Sequence, residues 1–171
     1  SGSGASSSQT TASQAPQADD NVPTEYKTAL NKAESYSNTM HMSKQGIYDQ
    51  LTSEYGENYS EEAAQYAVDN LEADYNANAL AKAKDYSNTM HMSKQGIYDQ
   101  LTASAGEKFT EEEAQYAVDN LDADYNANAL EKAKQYQSQM NMSPEAIRDQ
   151  LTSSAGEKFT QEEADYAIAN L

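Results

Sequence analysis

The chain has 171 residues, 28 acidic and 11 basic, which gives a net charge of −17 with the histidines neutral. That balance argues against nucleic acid, whose phosphates demand Lys and Arg, and against docking on an anionic membrane face. Cys is zero, which excludes disulfides, thiolate nucleophiles and Cys-ligated zinc, and no apolar run approaches the ~20 residues of a membrane-spanning helix.

Residues 1–24 contain no Lys, Arg, Leu, Ile or aromatic residue and are dominated by Ser, Gly, Ala, Thr and Gln. Such a segment buries too little apolar surface to offset the entropy of ordering. It predicts a flexible tether, with a mean span of roughly 25–30 Å for a random coil of this length. Neither an initiator Met nor a signal peptide opens the chain, as expected of a processed or trimmed product.

The remainder repeats every 50 residues. Leu30–Leu71, Leu80–Leu121 and Leu130–Leu171 align without gaps; the first two share 32 of 42 positions and the last two 27 of 42. Three copies of one structural unit follow, over 25–71, 72–121 and 122–171. A single unit of this size supports only a marginal core, so copies in series are expected to share interfaces.

Each copy predicts three helices, so the fold class is all-α: three tandem three-helix, helix-turn-helix-like repeats. In the third copy Tyr125, Ala129, Ala133, Tyr136 and Met140 lie on one face of a 3.6-residue period. Ser143 followed by Pro144 opens a second helix that buries Ile147 and Leu151; Ser43 and Ser93 keep the cap in the other copies. Gly156, Gly106 and Gly56 follow that helix and suit a C-terminal cap. Thr160 with Glu163, and Thr110 with Glu113, predict capping boxes at the third helix, with Phe159 stapling onto Ala164. In the first copy Ser60 keeps the cap while Ala63 replaces the Glu.

Between copies, Glu111 to Met140 contains neither Gly nor Pro, and the apolar phase runs through unbroken. The phase favours a long continuous or slightly kinked helix shared by neighbouring repeats. The competing reading is a break at Asp122 or Asp124, supported by the poor helix propensity of the Asp/Asn-rich stretch 122–128.

Sites for chemistry are not indicated. Asp122-Ala-Asp124-Tyr-Asn126-Ala-Asn128 imitates the start of a calcium loop, but Ala127 stands where a Gly is needed and Ala133 where a bidentate Glu is needed. His41 and His91 sit in Met-His-Met, Asn141 takes that slot in the third copy, and no further ligands are spaced for a metal. No nucleophile–base order, phosphate-cradling Gly loop or paired-carboxylate signature appears, so neither enzyme activity nor a cofactor is expected. A DNA-reading helix-turn-helix is disfavoured because the third helices open on Glu.

The acidic surface carries the functional expectation. The three copies carry −5 each and the tail −2, so the charge is periodic. Candidate partner-binding residues are Asp49, Asp99 and Asp149 on the second helices, and Glu61, Glu62, Glu111, Glu112, Glu113, Glu162 and Glu163 at the starts of the third. Acids at helix starts also complement the dipole and aid solubility. A repeated stripe further attracts and steers a basic partner.

The pattern Ala-Leu-x-Lys-Ala-x-x-Tyr-x-x-x-Met-x-Met-Ser, then Ile-x-x-Gln-Leu-Thr, then Gly-Glu-Lys-Phe-Thr-x-Glu-Glu-Ala-x-Tyr-Ala, resembles the host cell surface-exposed lipoprotein family. Within it, the chain resembles the superinfection-exclusion lipoproteins of temperate phages of Gram-positive bacteria. The resemblance covers residues 25–171. Departures are Tyr55, Asn58 and Tyr59 in the first copy and Asn141 and Arg148 in the third. The resemblance implies a lipid anchor on an N-terminal Cys at the outer face of the cell membrane; that Cys is absent here, so the chain would be the soluble part. It also implies a block on incoming phage DNA after adsorption, with the tail tape-measure protein as the expected partner. Two other readings stand beside it. One is a cell-wall or extracellular binding module, for which Tyr48 and Tyr98 are the aromatic candidates and Arg148 breaks the row. The other is a passive spacer.

Overall fold

The computed structural model describes residues 21–171. Among the described residues it is wholly helical, with α1 (Thr24–Asn38), α2 (Lys44–Thr52), α3 (Glu61–Asn70), α4 (Tyr75–Asn88), α5 (Lys94–Thr102), α6 (Glu111–Asn120), α7 (Tyr125–Met140), α8 (Pro144–Thr152) and α9 (Gln161–Ala169). Three helices recur in each of three tandem repeats, the architecture expected from the sequence. Of the tether expected over 1–24, residues 1–20 lie outside the described residues, and Thr24 already belongs to α1.

Local signals set the helix starts. The hydroxyl of Ser93 accepts the Gly96 N–H at 3.0 Å, and Ser143 caps α8 with Pro144 in its first turn. Both capping boxes form: Thr110 N–H donates to Glu113 Oε1 at 2.9 Å while Glu113 N–H donates to Thr110 Oγ1 at 3.1 Å, and Thr160 with Glu163 repeats the pair. The first repeat lacks the reciprocal Glu because position 63 is Ala. There the carboxylate of Glu25, from α1, accepts the Ser60 N–H at 3.0 Å instead. A long-range contact replaces a local one.

The continuous helix favoured at the repeat junctions does not form. Residues 71–74 and 121–124 leave the helical conformation, with Leu121 at φ −80, ψ 117, and new helices start at Tyr75 and Tyr125. Asp74 and Asp124 each cap by accepting the N–H three residues on, at 3.0 Å. The side-chain cap satisfies a backbone donor that a helix start leaves open, and Asp and Asn are weak helix formers, so the break is favoured. Apolar phase survives because two separate helices can bury the same faces without being one helix.

The glycines after the second helices also differ from expectation. None of them has positive φ. The left-handed residues lie two positions further on, at Asn58, Lys108 and Lys158, with φ 56, 64 and 65. Glycine is required for a different reason: a Cβ on Gly56 would lie 2.5 Å from the Gln50 carbonyl oxygen, and Gly106 and Gly156 are pressed equally against Gln100 and Gln150. The chain folds back over the helix end there, and Glu107 N–H donates to the Gln100 carbonyl at 3.1 Å.

Left-handed residues end the first helices too: His41, His91 and Asn141, with φ 53, 51 and 54. His and Asn both tolerate this region better than most residues, which accounts for their exchange in one slot. The turn redirects the chain, so Met92 and Met142 pack on the second and third cores. Met140, placed on the apolar face by its spacing, is instead 62% exposed.

The described residues form two compact units, one of residues 21–35 and 48–71, the other of residues 36–47 and 72–171. In the first, the rings of Tyr26 and Tyr66 lie 5.4 Å apart and Lys32 pairs with Glu57 at 3.5 Å. The second holds two small cores. Ala79, Ala83, Ile97, Leu101, Phe109, Ala114, Ala117 and Val118 form one; Ala129, Ala133, Ile147, Leu151, Phe159, Ala164 and Ala167 form the other. Leu121 and Tyr125, at the repeat junction, pack on the former.

Candidate functional site

The Gly-Glu-Lys-Phe segment is where each repeat of the second unit is tied together and tied to its neighbour. The Glu107 carboxylate accepts the Tyr86 hydroxyl and lies 3.8 Å from the Lys82 ammonium. Its backbone carbonyl accepts the Ser43 hydroxyl from 64 residues earlier. Glu157 repeats all three contacts with Tyr136, Lys132 and Ser93. Lys158, held in the left-handed conformation, reaches back to the Asp99 carboxylate. Asn128 completes the joint by donating to Ser87 Oγ at 3.0 Å and to the Met92 carbonyl at 2.9 Å; Asn78 does the same to Ser37 and Met42. Phe109 and Phe159 are buried beneath.

The joints shift ionisation. Burial raises the Tyr136 phenol first, and its hydrogen bond to the Glu157 carboxylate raises it further, up to about 12. Tyr86 moves in the same direction for the same reasons with Glu107. Burial alone would raise the Asp99 carboxyl, but hydrogen bonds from Lys158 and Gln95, with the Lys158 charge, outweigh it and hold Asp99 below its ordinary value. The raised phenol contributes stability that is present below pH 10 and lost as pH rises through about 12. Glu157→Gln is therefore expected to bring the Tyr136 titration back toward 10, read as tyrosinate absorbance against pH; an unchanged profile would remove Glu157 as a cause.

The expected acidic residues fall into two groups. Glu113 and Glu163 are spent in capping boxes and half-buried. Asp99 is spent on Lys158 and Gln95. Asp49 is half-buried and engaged, whereas Asp149 is exposed. Glu61, Glu62, Glu111, Glu112 and Glu162 are exposed on the first turns of α3, α6 and α9. They do not stand alone there. On α6, Tyr116 and Asp119 follow Glu112 at i+4 and i+7; Tyr116 is 40% exposed and Gln115 holds Asp119 at 2.8 Å. On α9, Tyr166 is 41% exposed and Gln161 holds Asp165 at 2.9 Å. Sequence reasoning missed Asp69, Asp119, Asp165 and the tyrosines, although i, i+4, i+7 spacing for Glu62 and Glu112, and i+3, i+4 spacing for Glu162, placed them on the same face. α6 and α9 thus present carboxylates around an exposed tyrosine, an arrangement suited to cations through charge and through the ring face.

Among the described residues no group of three or more His, Cys, Asp or Glu side chains is placed to hold a metal ion, and no helix is long and apolar enough to cross a membrane. Tyr98 packs on the second core and Arg148 pairs with Asp165.

A family model described as host cell surface-exposed lipoprotein matches residues 24–71, 74–121 and 124–171. Among solved structures, the chain is similar to Ltp, a superinfection exclusion protein from the Streptococcus thermophilus temperate phage TP-J34. The identity is 54%, over 56% of this chain and 94% of that one, with a TM-score of 0.51. No curated protein sequence matches the chain significantly. With three matched copies covering most of its length, the chain belongs to the host cell surface-exposed lipoprotein family.

Proposed function

We propose that the chain acts in superinfection exclusion, displayed at the outer face of the cell membrane by a lipid anchor on the full-length protein, and that it works by stoichiometric capture without catalysis. Its target is a basic segment of the phage injection apparatus, with the tape-measure protein as the expected partner. The observation that carries this reading is the recurrence of exposed carboxylates around a tyrosine on α6 and α9, in a chain similar to a superinfection exclusion protein. A single exposed ion pair contributes only about 0.2–1 kcal/mol. A repeated face gains by effective concentration once one contact is made.

The test expresses the chain with an N-terminal lipid anchor on a phage-sensitive host and measures adsorption and DNA entry separately. Normal adsorption with blocked entry is expected. The quintuple variant Glu61→Gln, Glu62→Gln, Glu111→Gln, Glu112→Gln, Glu162→Gln should restore DNA entry while surface display is unchanged. Blocked adsorption would instead indicate receptor masking or wall binding. Full exclusion by the variant would remove the acidic helix starts from the mechanism.

A further inference from the structure

We infer that Met40, Met90 and Met140 are oxidation sites: a hydroperoxide converts each to methionine sulfoxide, and the fold carries the product without opening. The chain has no Cys and six Met, so every sulfur in it is a thioether. The methionines form three Met-x-Met pairs, at 40 and 42, 90 and 92, and 140 and 142. The outer member of each pair is exposed, Met40 by 52%, Met90 by 50% and Met140 by 62%. The inner members, Met42, Met92 and Met142, are half-buried.

The two members of a pair meet different surroundings because the residue between them is left-handed. His41, His91 and Asn141 hold φ 53, 51 and 54. That residue ends the first helix and turns the chain back on it. The Met92 N–H donates to the Tyr86 carbonyl, six residues back, at 3.3 Å, and Met42 and Met142 repeat the bond with Tyr36 and Tyr136. The outer methionine stays at the helix end in solvent, and the inner one turns inward. Met92 and Met142 pack on the cores of the second and third repeats. The thioether methyl of Met42 would lie 3.6 Å from a Cβ on Gly46, and that of Met92 3.5 Å from a Cβ on Gly96, so each rests on the following helix. The Met42 and Met92 carbonyls accept the Asn78 and Asn128 amides, which places these inner residues in the joints.

In the reaction a sulfur lone pair attacks one oxygen of hydrogen peroxide. The S–O bond forms as the O–O bond breaks, and the second oxygen leaves as water with the proton of the first. Sulfur is oxidised by two electrons and the peroxide reduced by two. Access to the sulfur sets the rate, and solvation of the polar product decides what it does to the fold. Met90 has both. It lines a hollow of about 280 Å³ with Lys82, Asp85, Tyr86 and Thr89, where the Lys82 ammonium and the Thr89 hydroxyl are donors for a sulfoxide oxygen. At Met92 or Met142 the same oxygen would face the apolar side chains of a core. The Met-x-Met motif therefore directs oxidation to the member that can carry it.

The test treats the full chain with dilute hydrogen peroxide and follows each sulfoxide by mass spectrometry, with fragment ions separating the members of a pair. Met40, Met90 and Met140 are expected to react roughly tenfold faster than Met42, Met92 and Met142, because susceptibility follows exposure. The chain carrying three added oxygens should keep its far-ultraviolet circular dichroism and its melting temperature. The triple variant Met40→Leu, Met90→Leu, Met140→Leu should lose the fast phase and melt as the parent does. Equal rates at outer and inner methionines overturn the assignment. So does unfolding in step with the first three oxygens, or a fast phase that survives in the triple variant. None of these readouts depends on capture of a phage component, which is read separately in the DNA-entry assay.

Discussion

Leu101→Ala lowers the unfolding free energy by about 3 kcal/mol, within the range for truncating a fully buried leucine. Leu101 has no solvent exposure, and its carbonyl accepts the Phe109 N–H at 2.8 Å, so the side chain sits where α5 ends and the loop turns back. The surrounding core is mostly alanine, with only Ile97, Phe109 and Val118 as larger buried partners. Alanines on packed helices have no side-chain freedom with which to fill a void, so the cavity stays open. Against a total stability of 5–15 kcal/mol for ordinary proteins, the loss is a large fraction of what holds the repeat. The comparison variant is Met90→Ala, at a side chain 50% exposed, which should stay within about 0.5 kcal/mol. Urea unfolding followed by far-ultraviolet circular dichroism reads both. A loss under about 1 kcal/mol at Leu101 would show that the helices close over the gap.

Much of this architecture was legible because its signals are local. Ser and Thr caps and the Thr-x-x-Glu boxes each satisfy backbone donors within three residues, and Pro144 in the first turn removes one, so sequence spacing alone places them. The junction was harder. Apolar phase is shared by one long helix and by two short ones facing the same cores, and only the capping carboxylates of Asp74 and Asp124 decide between them. The glycines pointed to a turn, but the reason for them, contact with a carbonyl six residues back, is not encoded in any spacing rule. Glu25 standing in for a missing capping glutamate 38 residues away was likewise beyond local reasoning. The same holds for charge. Composition showed that acids recur, and spacing assigned Glu113 and Glu163 to caps, whereas Asp99 serves a joint with Lys158 that exists only once the second and third repeats meet.

Asn128→Ala should cost about 2 kcal/mol, because it leaves a buried and a part-buried acceptor without their donor and not merely one bond unmade. Asn128 is 7% exposed, and its amide supplies both the Ser87 hydroxyl and the Met92 carbonyl. Neither acceptor is replaced by water in a joint that tight without opening it. The free-energy loss has a location as well as a size. In a linear array, stability is close to a sum of repeat terms and nearest-neighbour joints, so weakening one joint lets the repeat beyond it open without the rest. Native-state hydrogen exchange should therefore quicken by about 30-fold in the buried amides of α7 and α9, the exchange equivalent of that loss. Amides of α6, which are held by their own core, should change far less. Uniform acceleration across both repeats would mean that they unfold as one unit and that the joint carries no separable energy. A local effect has a functional consequence. Under the proposed function, the faces of α6 and α9 would act on one partner together only while their spacing is fixed, since effective concentration falls once the second face wanders. Asn128→Ala should then weaken capture more than it weakens any single-face contact, with every exposed carboxylate still in place.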